Sequence, residues 1–251
     1  MSPQDLLNYQ AAPELLKDRV ILITGAGSGL GAALAKRCAR LGATVVLLDK
    51  SMKPLEAVYD AIEAAGGPQP AIYPMNLEGA TAKDYEDLRD NLEAEFGRLD
   101  GLVNNAAWVG ALTPIEHYDL ELWAKVITTN LHAPFLLNHA LLPLLLKAPD
   151  PSIVFSTQSC RKAYWGAFGV AKAGLHALMD ILAHEHSGKR WIRVNGVDTG
   201  PMRTPLRVSH YPGEDPAQNP EPETMVAPYV YFLGPDAGKT TGQNIELQAS
   251  T

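Results

Sequence analysis

Thr24-Gly25-Ala26-Gly27-Ser28-Gly29-Leu30-Gly31 closes a short β-branched run, Arg19 to Thr24 (RVILIT), and opens a helix-spaced one in which Leu34, Cys38 and Leu41 recur before Gly42. A buried parallel strand that ends in a tight turn and feeds a helix has this pattern. Glycines in such a turn let the backbone approach a pyrophosphate, and the helix N-terminus behind them offers free N–H donors and positive potential. Alone, a glycine-rich turn is often only a turn. Here the next apolar run, Ala43 to Asp49 (ATVVLLD), ends in an acid 18 residues after Gly31. A carboxylate at that strand end accepts hydrogen bonds from both ribose hydroxyls of an adenosine and repels a 2′-phosphate, which favours NAD over NADP. Lys50, the next residue, acts in the opposite sense and keeps NADP open. A methyltransferase using S-adenosylmethionine carries a similar turn and acid, so this pair leaves the reaction class open.

The alternation continues along the chain. Helices are expected around Leu55–Ala65, Tyr85–Phe96, Leu120–Lys147 and Phe168–His186, and strands at Ala71–Met75, Leu99–Asn104, Ser152–Ser156, Ile192–Val197 and Asn244–Leu247. Strands and helices taking turns at this spacing imply an α/β fold, a single doubly wound parallel sheet of the Rossmann type with helices on both faces. Residues 1–251 read as one such domain, without linker or internal repeat. The proline-rich stretch Tyr211–Pro228 reads as part of a substrate-side loop at about 201–228.

Composition narrows the partners. With 28 acidic against 21 basic residues the net charge is −7, which argues against nucleic acid, whose backbone calls for clustered positive charge. The apolar segment from Leu131 to Leu146 is interrupted by two His, an Asn and two Pro and falls short of the roughly 20 residues of a membrane span. Acids stand in the first residues where a secretory signal has bases, so a cytoplasmic location is expected. Cys38 and Cys160 form neither a disulfide framework nor a metal spacing. His132, His139, His184 and His186 show no third ligand, so no metal is expected and structural or surface roles are favoured.

Taken in order, the motifs from Val20 to about Leu247 resemble those of the short-chain dehydrogenase/reductase family. Thr24–Gly31 matches its TGxxxGxG, which places Gly25, Ser28, Gly29, Leu30 and Gly31 at the cofactor with Asp49. Asn76-Leu77 stands where the family has an acid contacting adenine, and Asn104-Asn105-Ala106-Ala107 resembles NNAG. Asn130 corresponds to the helix asparagine that holds a proton-relay water, and Lys172 to the lysine of YxxxK, which bonds the nicotinamide ribose. Asn195 to Thr204 (NGVDTGPMRT) resembles the segment beside the nicotinamide, with Gly200 in the glycine position and Thr199 in place of a proline. The resemblance implies hydride transfer between NAD, or NADP, and a small carbonyl or alcohol, by a homodimer or homotetramer.

The departures bear on the chemistry. In YxxxK the phenol and the ammonium lie one turn apart on one helix face, so the charge lowers the phenol pKa. Here the stretch is Phe168-Gly169-Val170-Ala171-Lys172, and phenylalanine has no proton to give. An impaired, dinucleotide-binding protein is therefore the alternative to an active oxidoreductase. The serine that bonds the substrate oxygen is open as well. Counting forward along the strand reaches Gln158 with Ser159 beside it, and counting back from Phe168 lands near Phe155 and Ser156. Ser159 is taken as the catalytic candidate, and Gln158 offers an amide donor in its place. Tyr164, the one phenol close by, is a candidate displaced acid.

Overall fold

The computed structural model describes residues 1–248. Seven strands of these residues form one parallel sheet: β1 Val20–Thr24, β2 Thr44–Asp49, β3 Ala71–Pro74, β4 Gly101–Asn104, β5 Ser152–Thr157, β6 Arg193–Asp198 and β7 Asn244–Glu246, in the order β3-β2-β1-β4-β5-β6-β7. Every residue of β1 is buried, because helices cover both faces and leave no solvent side to favour polar alternation. Ile21 and Ile23 pack on one face with Leu34, Val45 and Tyr229, while Leu22 and Leu102 pack on the other with Leu88, Leu141 and Met179.

The winding reverses at the centre. The chain runs outward from β1 to β3, returns beside β1 as β4, and proceeds to β7. A crevice opens where connections leave in opposite directions, beyond the carboxyl ends of β1 and β4. Thr24 and Asn105 face each other there. The Asn105 side chain donates to the Thr24 carbonyl at 2.9 Å, and the Thr24 hydroxyl accepts from the Asn105 and Ala106 amides at 3.0 and 2.9 Å.

Helices α2 Gly29–Arg40, α3 Met52–Ala64, α4 Ala82–Phe96 and α7 Gly166–Glu185 lie within a few residues of their expected limits. The single helix expected over Leu120–Lys147 is two, α5 Leu120–Ile127 and α6 Ala133–Leu145, joined by a π turn over Thr128–His132. Pro134 has no N–H for the carbonyl of Asn130 four residues earlier, and the Asn130 side chain takes the Val126 carbonyl at 2.8 Å. Both loosen the α-helical ladder at that point. Three further helices escaped the hydrophobic pattern: α1 Pro3–Leu7, α8 Pro205–His210 and α9 Ala227–Leu233. The first two are too short to show periodicity, and α9 hides behind the prolines although it buries Tyr229, Phe232 and Leu233. By length and composition α7 is apolar enough to cross a membrane; here its Ala171, Leu175 and Met179 face is buried.

Candidate functional site

The glycine turn after β1 is built by close approach. A Cβ on Gly31 would sit 2.1 Å from the Gly25 carbonyl oxygen and 2.8 Å from the Asn105 amide, so α2 can start this near β1 only if residue 31 is glycine. Gly25 itself has φ +67°. Ser28 is the N-cap of α2, yet its side chain makes no capping bond, and the first-turn amides of Gly29, Leu30 and Gly31 have no carbonyl one turn back. Gly29 and Leu30 border the crevice at the positive end of a 12-residue helix, with Gly31 packed behind them. That donor set fits a pyrophosphate.

Asp49 at the end of β2 also borders the crevice. Its Oδ2 accepts from the Gly27 amide at 3.2 Å and its Oδ1 from the Lys50 amide at 2.7 Å, so the carboxylate is held against the turn with Lys50 beside it. Beyond β3, Asn76 and Leu77 line the same side, and Asn105 and Ala106 line the centre next to Gly25. One cavity of about 520 Å³ joins these residues to Lys172 and Gly200 on the far side of the switch point. Apart from Gly31, which packs against the Gly25 carbonyl, the expected cofactor positions, dispersed through the sequence, border one space.

On the far side, Phe168 and Lys172 sit one turn apart on α7 and both line the crevice. The Phe168 ring is buried and stacks on Trp165, centroids 5.8 Å apart. Lys172 donates from Nζ to the Ser156 carbonyl at 2.7 Å, and burial pushes its ammonium down to about 8, with Cys160 and Asp198 acting the other way. Asn130 is buried with its side-chain amide engaged: Oδ1 accepts from the Trp108 N–H at 3.1 Å, and Nδ2 donates to the Trp108 carbonyl at 2.7 Å. Its side chain is a clamp on the segment after β4.

Two expectations change here. Ser159, the catalytic candidate, is exposed and does not line the crevice, and its amide donates to Asp198 Oδ2 at 2.6 Å; Gln158 lines it, as does Ser156, the serine of the other count, whose hydroxyl lies 3.2 Å from Asn105 Oδ1 and 2.9 Å from the Tyr229 hydroxyl. Tyr164 is 60% exposed with φ +72° and is absent from the lining, so it does not stand there as a displaced acid. The substrate-side loop also shifts. Pro201 to Tyr211, including α8, borders the crevice, whereas the proline-rich residues after Tyr211 do not.

Several lining residues were not singled out from sequence. Trp108 and Trp165 are marked only by being bulky aromatics beside motif residues. Thr204 caps α8 by accepting from the Arg207 amide at 3.2 Å, and its methyl lies close to Gly29, so the lid helix starts against the glycine turn. His210 spans the mouth, with Nε2 3.3 Å from the Gly110 carbonyl and Nδ1 2.9 Å from that of Leu206. Asp198 bridges the ends of β5 and β6 by accepting from both Ser159 and Gly200 amides, the latter at 2.9 Å. Among the described residues no three His, Cys, Asp or Glu side chains gather as a metal site.

Comparison with known proteins gives the same picture from outside. Residues 19–215 match the family model described as short chain dehydrogenase. The chain is 35% identical over 245 residues to the uncharacterized oxidoreductase YciK of Escherichia coli, covering 96% of each. It superposes with TM-score 0.93 on a Pseudomonas syringae structure described as a short chain dehydrogenase, at 46% identity over 96% of this chain and 98% of that one. A short chain dehydrogenase structure from Escherichia coli CFT073, complexed with NADPH, is similar at TM-score 0.90 and 36% identity, covering 94% of this chain and 98% of the other.

Proposed function

The chain belongs to the short-chain dehydrogenase family, and from that premise we propose that it binds a nicotinamide dinucleotide along the crevice and works as an oxidoreductase on a small carbonyl or alcohol. The observation carrying this reading is the single cavity that runs from Asp49, past the first-turn amides of Gly29 and Leu30, to Lys172 and Gly200. When bound there, the dinucleotide supplies or accepts the hydride. The chain's own residues do the rest. The start of α2 holds the pyrophosphate, Asn76 and Leu77 flank the adenine, Lys172 is placed for the nicotinamide ribose, and the Gln158 amide is placed to donate to the substrate oxygen. NAD is preferred, because the Asp49 carboxylate at the ribose end repels a 2′-phosphate, although a similar structure is complexed with NADPH.

Calorimetric titration with NADH tests the reading: one site per chain is expected, and no heat of binding for NADH or NADPH overturns it. A second reading, a dinucleotide-binding protein of reduced catalytic power, is favoured by one observation, the buried Phe168 ring where an acid/base is expected. Exposed Phe135, Val170 and Ile181 on the outer faces of α6 and α7 support a homodimer or homotetramer that covers them, and a monomer by light scattering at micromolar concentration overturns that. The acidic charge and two buried free thiols suit a reducing, cytoplasmic setting.

A further inference from the structure

Between the ends of β4 and β6 the crevice wall is aromatic and apolar, formed by Trp108, Val109, Trp165, Phe168, Met202 and Leu206. Three of these carry ring planes, and two of the rings, Trp165 and Phe168, hold each other. Trp165 stacks on Phe168 with 30° between planes, and the Trp108 backbone is held at both its N–H and its carbonyl by Asn130. Flat apolar surface held this rigidly receives a ring at low entropic cost.

The arginine on this wall is already matched. Arg207 gives Nε and Nη2 to the two carboxylate oxygens of Glu214, at 2.7 and 2.8 Å, and its guanidinium lies 3.5 Å from the Tyr211 ring centroid. Lys172 is buried, donates to the Ser156 carbonyl and has no carboxylate partner among the described residues; on the dinucleotide reading it serves the nicotinamide ribose, while a neutral His210 gives its one N–H to the Leu206 or the Gly110 carbonyl. Asp49, Lys50 and Glu78, the other charged side chains on the lining, stand beyond β2 and β3 at the opposite end. A ligand carboxylate entering between the tryptophans would lose its water and find the Arg207 guanidinium already engaged.

We propose that the crevice selects a neutral, ring-bearing carbonyl or alcohol and discriminates against the carboxylate-bearing analogue, with the Arg207–Glu214 pair as the device that cancels the charge. The inference rests on the dinucleotide reading, so binding is measured on protein already saturated with NADH, and turnover is not required. Acetophenone, phenylglyoxylate and 2-butanone separate the two terms, since the second adds a carboxylate to the ring ketone and the third removes the ring. Acetophenone is expected to bind about tenfold or more tightly than either. Glu214→Gln, which releases the guanidinium, is expected to raise phenylglyoxylate affinity about tenfold and to leave the acetophenone value within a factor of about two. Trp165→Ala is expected to weaken acetophenone and not 2-butanone. Phenylglyoxylate binding as tightly as acetophenone, or Glu214→Gln leaving phenylglyoxylate unchanged, overturns the proposal while NADH binding stands. Failure of NADH to bind at all overturns the dinucleotide reading and this one with it.

Discussion

The Lys172 ammonium stands 5.5 Å from the centroid of the Phe168 ring, one helical turn away, with the carbonyl of Ser156 as its hydrogen-bond acceptor at 2.7 Å. The cation is therefore where it would lower the pKa of a phenol, and the residue facing it has none. Phe168→Tyr is expected to create or raise carbonyl reduction by on the order of 10²–10⁴, the usual contribution of a positioned acid/base. Steady-state NADH oxidation against a ketone panel measures it. Tyr164→Phe is expected to change nothing, since that side chain points to solvent. Inactivity of both proteins despite NADH binding would favour the binding-protein reading.

Lys172 also gives a pH signature. Burial pulls its ammonium down to about 8 from an ordinary 10.5, so between those values the unfolded chain holds the proton that the folded chain has released. More protons on the unfolded state means stability rises with pH in that window; below it both states are protonated and the penalty for the buried charge is fully present. Relative to Lys172→Met, which cannot titrate, the wild type is expected to gain on the order of 3 kcal/mol as pH rises through the window. Denaturant midpoints at about pH 7 and about pH 10 decide it, and parallel behaviour of the two proteins would refute the burial argument.

Asp49→Ala is expected to narrow the preference for NAD over NADP about tenfold, chiefly by strengthening NADP, because a repelling carboxylate leaves and Lys50 remains. Paired calorimetric titrations give the ratio. A wild type that already binds NADP more tightly would assign the ribose end to Lys50.

Gly31→Val is expected to lose the fold and not only the ligand. The added Cβ meets the Gly25 carbonyl oxygen at 2.1 Å, a clash internal to the β1–α2 turn, and overpacking of this kind costs about 1–3 kcal/mol or more. Thermal denaturation separates the two effects: a melting point within a few degrees of wild type, with NADH binding lost, would return Gly31 to a purely ligand-facing role.

How much of this was legible in the chain depends on the range of the interaction concerned. RVILIT followed by the glycine turn, and ATVVLLD ending in Asp49, fixed a strand, a turn, a helix and a second strand, because fully buried parallel strands and close-approach glycines impose their residue types locally. The absence of a phenol at Phe168 was likewise a fact of sequence, as was its one-turn spacing from Lys172. Other matters needed the fold. Whether Gln158 or Ser159 enters the crevice turns on Asp198, which lies 39 residues beyond Ser159 and accepts its amide, so no local count along β5 settles it. The break in the helix after Leu120 goes with Pro134 and with an Asn130 side chain that bonds both the Val126 carbonyl and the Trp108 backbone 22 residues earlier. The aromatic wall and the Arg207–Glu214 pair exist as a surface only because β4, α7 and the Pro201–Tyr211 segment converge at the carboxyl end of the sheet. Periodicity reports which face of an element is buried; which distant side chains share a cavity is set by the order in which the strands are wound.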